Sequence, residues 1–399
     1  MTRKSKKRWT GCAGSRLNPH RMANVAATLR ALSLQSHEIA ARTRLAPERV
    51  EAILNGTPVT ASELRALSRG LKLSMRAFAA AGSPSTSQEL AARFRAPGVS
   101  DSEREPTLDR LAGFVDAALK VLPERQDLPH WLNEFALRGQ ESYAEAQRLA
   151  SQFRDVIYPG EPDSPAIDLP QRLLALEGLI VSQLKNSKYE GASVAAGGYL
   201  FVFVSPRFPA RMLFTLGHEL GHVVAHHSLQ SAHLDLASSI GSYKNRAEGF
   251  ADAFSSAFLL PAQAVGGTLH EIRRVIGATG DAIGDVEILI LARLHGVSFD
   301  VAARRCEDLD LLPPGGAASL ADYLRKNFGN PEKRADALNL PPRPTVHFDA
   351  VSPILMRYVH ASVESGVTSP SWIADRLNTS IESIYASHAS MDVRRASSH

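Results

Sequence analysis

Residues 208–227 read FPARMLFTLGHELGHVVAHH, and residues 245–261 read NRAEGFADAFSSAFLLP. Apolar residues recur through both stretches at helical spacing, so each is read as a helix, the second halted by Pro261. In the first, His218 and His222 stand four residues apart on one face, about 5–6 Å apart at Cβ. Glu219 follows His218, completing an HExxH pattern. Two imidazoles so placed reach one metal at about 2.0–2.1 Å each. Glu219 is then positioned to hold a water on that metal and take its proton. Met212, Leu213, Phe214, Leu216, Leu220, Val223 and Val224 mark the helix as buried, and buried charge needs a partner. Stray histidines on a surface helix would have no such apolar frame.

A hydrolytic zinc site takes a third protein ligand and keeps a fourth position open. The candidates downstream are His226, His227, His233, Asp235, Glu248 and Asp252. His226 is eight residues past His218, about 12 Å along the axis, too far to share its metal. It lines the cleft or closes its helix against the dipole. Glu248 is the better choice, because it borders the apolar stripe Ala247, Phe250, Ala251, Phe254 and Phe258, which would pack against the first helix. Asp252, one turn on, is placed to accept a hydrogen bond from the free ring nitrogen of a ligand histidine. The competing reading of the pair is a solvated acidic face. The donor that would stabilise an oxyanion is left open between His226, His227 and Tyr243.

Working outward, GLIV (178–181) and GGYLFVFVSP (197–206) read as strands. Residues 107–155 read as helical, as do 170–177 and 263–312, the last ended by PPGG (313–316). Residues 317–399 form a weaker helical tail interrupted by LNLPPRPTVHFD (338–349). The fold class is therefore mainly α with a small β-sheet, α+β. The expected organisation is a basic disordered tail over 1–21, a helical domain over 22–82, linker and helices over 83–139, a metal-site domain over 140–312 and a helical C-terminal region over 313–399.

The chain has 399 residues and a net charge of +4. That balance hides an asymmetry, since residues 1–82 carry 15 Lys/Arg against 4 Asp/Glu. A basic head on an acidic body points to a polyanion as partner. No run of about 18 apolar residues exists to span a membrane, so no membrane partner is expected. No apolar stretch follows the basic N-terminus, as a secretory signal would require. Cys12 and Cys306 are the only cysteines. Two so far apart make no disulfide framework and suit a reducing, cytoplasmic location.

The runs FPARMLFTLGHELGHVVAHH and RAEGFADAFSSAFLLP, with EGLIVSQL and GGYLFVFVSP before and VEILILARLHGVSFDVAARRCEDLDLL after, resemble the ImmA/IrrE-type metallopeptidases. The resemblance spans roughly 140–312. It implies a bacterial zinc endopeptidase with His218, His222 and Glu248 as ligands and Glu219 as the catalytic acid–base. Zinc is the expected cofactor, one per chain, or another divalent metal such as Mn2+. It also implies a protein substrate, a helix-turn-helix repressor, and so a role in switching genes during a stress response. The family often has an acidic residue two after the ligand Glu, where this chain has Phe250.

Residues 22–81 are similar to an XRE-type helix-turn-helix domain, with helices expected at 36–44 and 46–55, the second lying in a major groove. Apolar Val25, Leu29, Ile39, Val50, Ile53, Leu64 and Leu67 recur at helical spacing, with Thr60 as an N-cap. Arg42, Arg44 and Arg49 are the candidate DNA-binding residues, joined by Lys4, Lys6, Lys7 and Arg8 in the tail. Departures from the pattern are Ser36, Arg44 at a turn, and the acidic Glu48 and Glu51. The domain either binds DNA or docks a protein partner such as the repressor. The alternative for the whole chain is a DNA-binding regulator or antitoxin whose metal site does not cleave. SPSWIADRLNTSIESIYA (369–386) looks like a further helix-turn-helix fragment.

Overall fold

The computed structural model describes residues 25–26, 28–30, 34–71, 78, 101–187, 189–226, 232–236 and 246–386. The basic tail over 1–21 and the linker up to residue 100 lie outside them. The chain divides into two units, Met1–Ala112 and Gly113–His399.

In the first unit, α1 (Ser36–Thr43), α2 (Pro47–Leu54) and α3 (Ala61–Leu71) surround a core of Leu29, Ile39, Val50, Ile53, Leu67 and Leu71. α1 begins at Ser36 with Gln35 as its N-cap, the Gln35 N–H donating to Glu38 Oε2 at 2.8 Å. Thr60 caps α3 reciprocally with Glu63, the Thr60 N–H donating to Glu63 Oε2 at 2.8 Å and the Glu63 N–H to Thr60 Oγ1 at 3.3 Å. Arg44 occupies the turn between α1 and α2 at φ 59°, a left-handed conformation in which a side chain is unfavourable. A further helix, α4 (Asp101–Val121), runs across the boundary of the two units.

The second unit is built on a four-stranded sheet in the order β1-β3-β2-β4, from β1 (Leu179–Gln183), β2 (Tyr189–Ala196), β3 (Tyr199–Val204) and β4 (Ala232–Leu236). β1 lies parallel to β3, and β2 is antiparallel to β3 and β4. Gly197 and Gly198, at φ 55° and 75°, make the two-residue turn between β2 and β3. β1 and β3 stand where the two apolar runs place them. β2 and β4 are not marked by the sequence pattern: YEGASVAA has no strict alternation and a single β-branched residue, Val194, yet seven of its eight residues are buried.

Helix α6 (Pro209–His226) packs on β2 and β3, and α7 (Arg246–Leu259) packs on α6 and on α5 (Tyr143–Ile157). Aromatic rings fill the α5–α7 seam, with Phe153 centred 5.6 Å from Phe258 and 5.5 Å from Phe135. Two buried arginines seize the C-terminal end of α7. Arg154 donates to the Phe258 carbonyl at 2.6 Å, and Arg305 to the Leu260 carbonyl at 2.8 Å. Their charge complements the negative end of the helix dipole and satisfies carbonyls that the helix leaves open.

Residues 263–312 are not one helical run but three helices: α8 (Ala262–Ile276), α9 (Asp285–Leu294) and α10 (Phe299–Asp308). Gly277 and Gly296, at φ 69° and 70°, end the first two. The tail holds α11 (Gly316–Phe328), α12 (Pro331–Ala337), α13 (Pro353–Glu364) and α14 (Pro370–Arg376). Its Pro-rich interruption lies along the edge strand β1: the Gln183 N–H donates to the Ala350 carbonyl at 3.0 Å and the Gln183 amide to the Phe348 carbonyl at 2.8 Å. An otherwise open sheet edge is thereby covered. Among the described residues no helix is long and apolar enough to cross a membrane.

Candidate metal centre

α6 and α7 approach closely because α6 carries glycine where the two touch. A Cβ on Gly217 would come within 2.5 Å of Ser255 Oγ, and one on Gly221 within 3.1 Å of Ala251 Cα. The Ser255 hydroxyl donates to the Phe214 carbonyl at 2.8 Å, stitching the two helices together. The glycines of GHELGH thus have their own structural cause, which the histidine spacing alone does not reveal. They bring the first turn of α7 to the buried histidines.

The side chains meet as follows. His218 Nε2 and His222 Nε2 are 3.1 Å apart. His218 Nε2 lies 3.3 Å from Glu248 Oε2, and His222 Nε2 lies 3.6 Å from Glu248 Oε1. His218 Nδ1 faces Asp252 Oδ1 at 2.8 Å. A carboxylate there is an acceptor, so Nδ1 carries the proton and the Nε2 lone pair is turned toward His222 and Glu248. Electron-pair donors on three residues therefore converge, all within 4.8 Å of one another. Two ligands at about 2.0–2.1 Å from a tetrahedral zinc stand about 3.3–3.4 Å apart. The observed 3.1–3.6 Å separations match that spacing. The donor set of two imidazoles and one carboxylate fits a divalent metal of the zinc class.

Glu219 is fully buried beside this cluster. It lies against the backbone of β2 at Gly191, where a Cβ would come within 2.8 Å of Glu219 Cγ and of Thr215 Cγ2. Gly191 is thus a site-shaping residue without a sequence signal of its own, because β2 is itself unmarked. Its neighbour Glu190 is buried and paired with Arg211 of α6 at 2.5 Å, which ties β2 to the helix one turn before Thr215.

His226 is the last residue of α6, and its side chain is outside the description, as are His227 and Tyr243. His233 and Asp235 lie on β4. In the first unit, Arg42 and Arg44 stand at the end of α1 and in the turn after it. Arg49 is engaged within the unit, by Glu63 through two bonds of 2.6 and 3.0 Å and by the Pro58 carbonyl at 2.6 Å. That paired guanidinium holds the Glu63 carboxyl down to about 2.

Residues 180–307 match the Peptidase_M78 family, the IrrE N-terminal-like domain. The matched stretch runs from β1 into α10 and contains His218, Glu219, His222, Glu248 and Asp252 together. It supports a peptidase of the ImmA/IrrE type, a family typically dependent on metal. The Peptidase_M78 match begins after α5, so it is narrower than the expected 140–312, and it does not extend to residues 22–82. No curated protein matches the chain.

Proposed function

We propose that this chain is a zinc-dependent endopeptidase that cleaves a regulatory protein of the helix-turn-helix repressor type. The observation that carries the reading is the convergence of His218 Nε2, His222 Nε2 and the Glu248 carboxylate at 3.1–3.6 Å inside a Peptidase_M78 match.

Zinc held there supplies Lewis acidity, drawing electrons from a scissile carbonyl and easing the deprotonation of water. His218 and His222 offer neutral ring nitrogens, and Glu248 offers the one negative charge of the set. Asp252 fixes the tautomer and angle of His218 through its 2.8 Å contact. Glu219 takes a proton from the attacking water and hands it to the departing amine. Burial against Gly191 keeps the Glu219 carboxylate in one place and out of bulk solvent.

Residues 22–82 serve on this reading as a DNA-binding or partner-docking domain that brings the peptidase to its substrate. The basic head supports it, as do the helix at Ser36–Thr43, the short turn through Arg44 and the helix at Pro47–Leu54. Arg49 is held by Glu63, which leaves Arg42, Arg44 and the tail residues Lys4, Lys6, Lys7 and Arg8 as the candidates for phosphate contact on this reading. The test is a comparison of cleaved peptides in cells expressing the parent chain or Glu219→Gln. Glu219→Gln is expected to keep its metal and lose all cleavage, and His218→Ala to lose the metal. Cleavage by Glu219→Gln at the parent rate would remove the mechanism.

A further inference from the structure

A cleft of about 770 Å³ opens beside the metal-ligand cluster, between the start of α6, one face of α7 and one face of α10. It borders the candidate site through two residues. Asp252, which grips His218, forms part of its wall, and Gly249, next to Glu248, forms another part. Phe208, Phe214, Phe250, Ala253 and Val301 supply apolar surface, and Phe208 is 52% exposed at the cleft. Small residues on α7 give the cleft its depth. The volume lies in the range that receives part of a ligand.

Two charged groups of the wall are matched, Arg211 with Glu190 at 2.5 Å and Asp252 with His218 at 2.8 Å, while Arg246, two residues before Glu248, and Glu141 also line the cleft. Across the cleft, Asp300, Arg304 and Asp308 of α10 mix both signs and select neither. The uncharged part of the wall, from Phe208, Phe214, Phe250, Ala253 and Val301, is aromatic and aliphatic surface.

We propose that this cleft is the subsite that seats a large apolar side chain of the polypeptide substrate, next to the bond to be cut. The assignment rests on the endopeptidase reading above. Apolar contact of this kind discriminates between side chains by about 10–200-fold. The cleft, with Phe208, Phe214, Phe250, Ala253 and Val301, then sets which residue flanks the cut, while Glu219 and the metal ligands act on the bond itself.

The test uses the full-length, zinc-loaded Glu219→Gln protein, which should bind peptides without cutting them. Two acetylated hexapeptide amides are titrated, Ala-Ala-Phe-Ala-Ala-Ala and its all-Ala counterpart. The Phe peptide is expected to bind at least about tenfold more tightly. Filling the cleft from opposite walls, by Ala253→Phe on α7 or Val301→Trp on α10, should reduce that preference to about twofold while zinc stoichiometry and melting temperature hold. Equal binding of the two peptides to Glu219→Gln overturns the assignment. So does undiminished preference in Val301→Trp, which lies off the metal-bearing helices. Cleavage assays with Glu219 in place separate the two ideas. Cutting without preference for Phe defeats the subsite alone. Preferential binding with no cutting defeats the endopeptidase reading, and the cleft is then a peptide pocket but not a subsite.

Discussion

Single contacts govern the chemistry at the residue scale. On the proposed reading Asp252 acts on the metal through His218, so Asp252→Asn should leave the ligand set intact while weakening zinc affinity about 10–100-fold, read by competition with a chelator. An unchanged affinity would show that the 2.8 Å contact does not orient His218. Gly191→Val would drive a branched side chain into Glu219 and Thr215 and should abolish cleavage before it abolishes zinc binding, which metal analysis beside a peptide assay would resolve. In the first unit, Arg49 lowers the Glu63 carboxyl from 4.5 to about 2. A depressed carboxylate stabilises the fold above its unfolded value and stops doing so as pH falls through its folded value. The loss therefore belongs between about pH 4.5 and 2. Acid titration followed by circular dichroism should show a drop of about 1 kcal/mol there, absent in Glu63→Gln. Arg44, at φ 59°, bears a side chain where glycine fits better, so Arg44→Gly should stabilise the unit by about 1 kcal/mol in a urea melt.

At the scale of elements, the pair α6–α7 is the frame of the site, and its spacing is set by Gly217, Gly221 and Ser255. Gly221→Val should part the helices, cost about 1–3 kcal/mol as overpacking does, and lower zinc affinity, since Glu248 and Asp252 move with α7. Arg154→Met should cost about 3 kcal/mol or more in a denaturant melt, because the buried guanidinium bonds three carbonyls that would lose their donor. These two helices are legible in sequence because HExxH and the apolar stripe of α7 repeat at helical period. Glu248 and Asp252 are legible for the same reason, standing one turn apart on a face the stripe defines. β2 is not legible: its small residues are selected by what lies against them, Glu219 above all, and a tertiary contact leaves no periodic trace. The break of 263–312 into three helices turns on Gly277 and Gly296, which a periodic reading passes over. Arg154 and Arg305 look like surface charge until α5 and α10 place them at the end of α7.

Across the whole molecule, a basic head precedes an acidic body that holds the candidate metal site. If the head meets DNA, binding should weaken steeply with salt, and replacing Arg42 and Arg44 together should reduce the slope of log K against log salt by about 2. An unaltered slope would assign those arginines, like Arg49, to the fold or to a protein partner. The stretch 348–352, which follows the prolines of 338–349, belongs to the body, since it covers β1 and shields a sheet edge from pairing with other chains.

The central claim is that one divalent metal is bound by two imidazoles from α6 and one carboxylate from α7. X-ray absorption of the zinc-loaded, full-length protein measures that coordination directly. The expected spectrum shows one zinc per chain with two imidazole nitrogens and carboxylate oxygen at about 2.0–2.1 Å, and no sulfur. A zinc shell containing fewer than two imidazoles, or a thiolate, would contradict it.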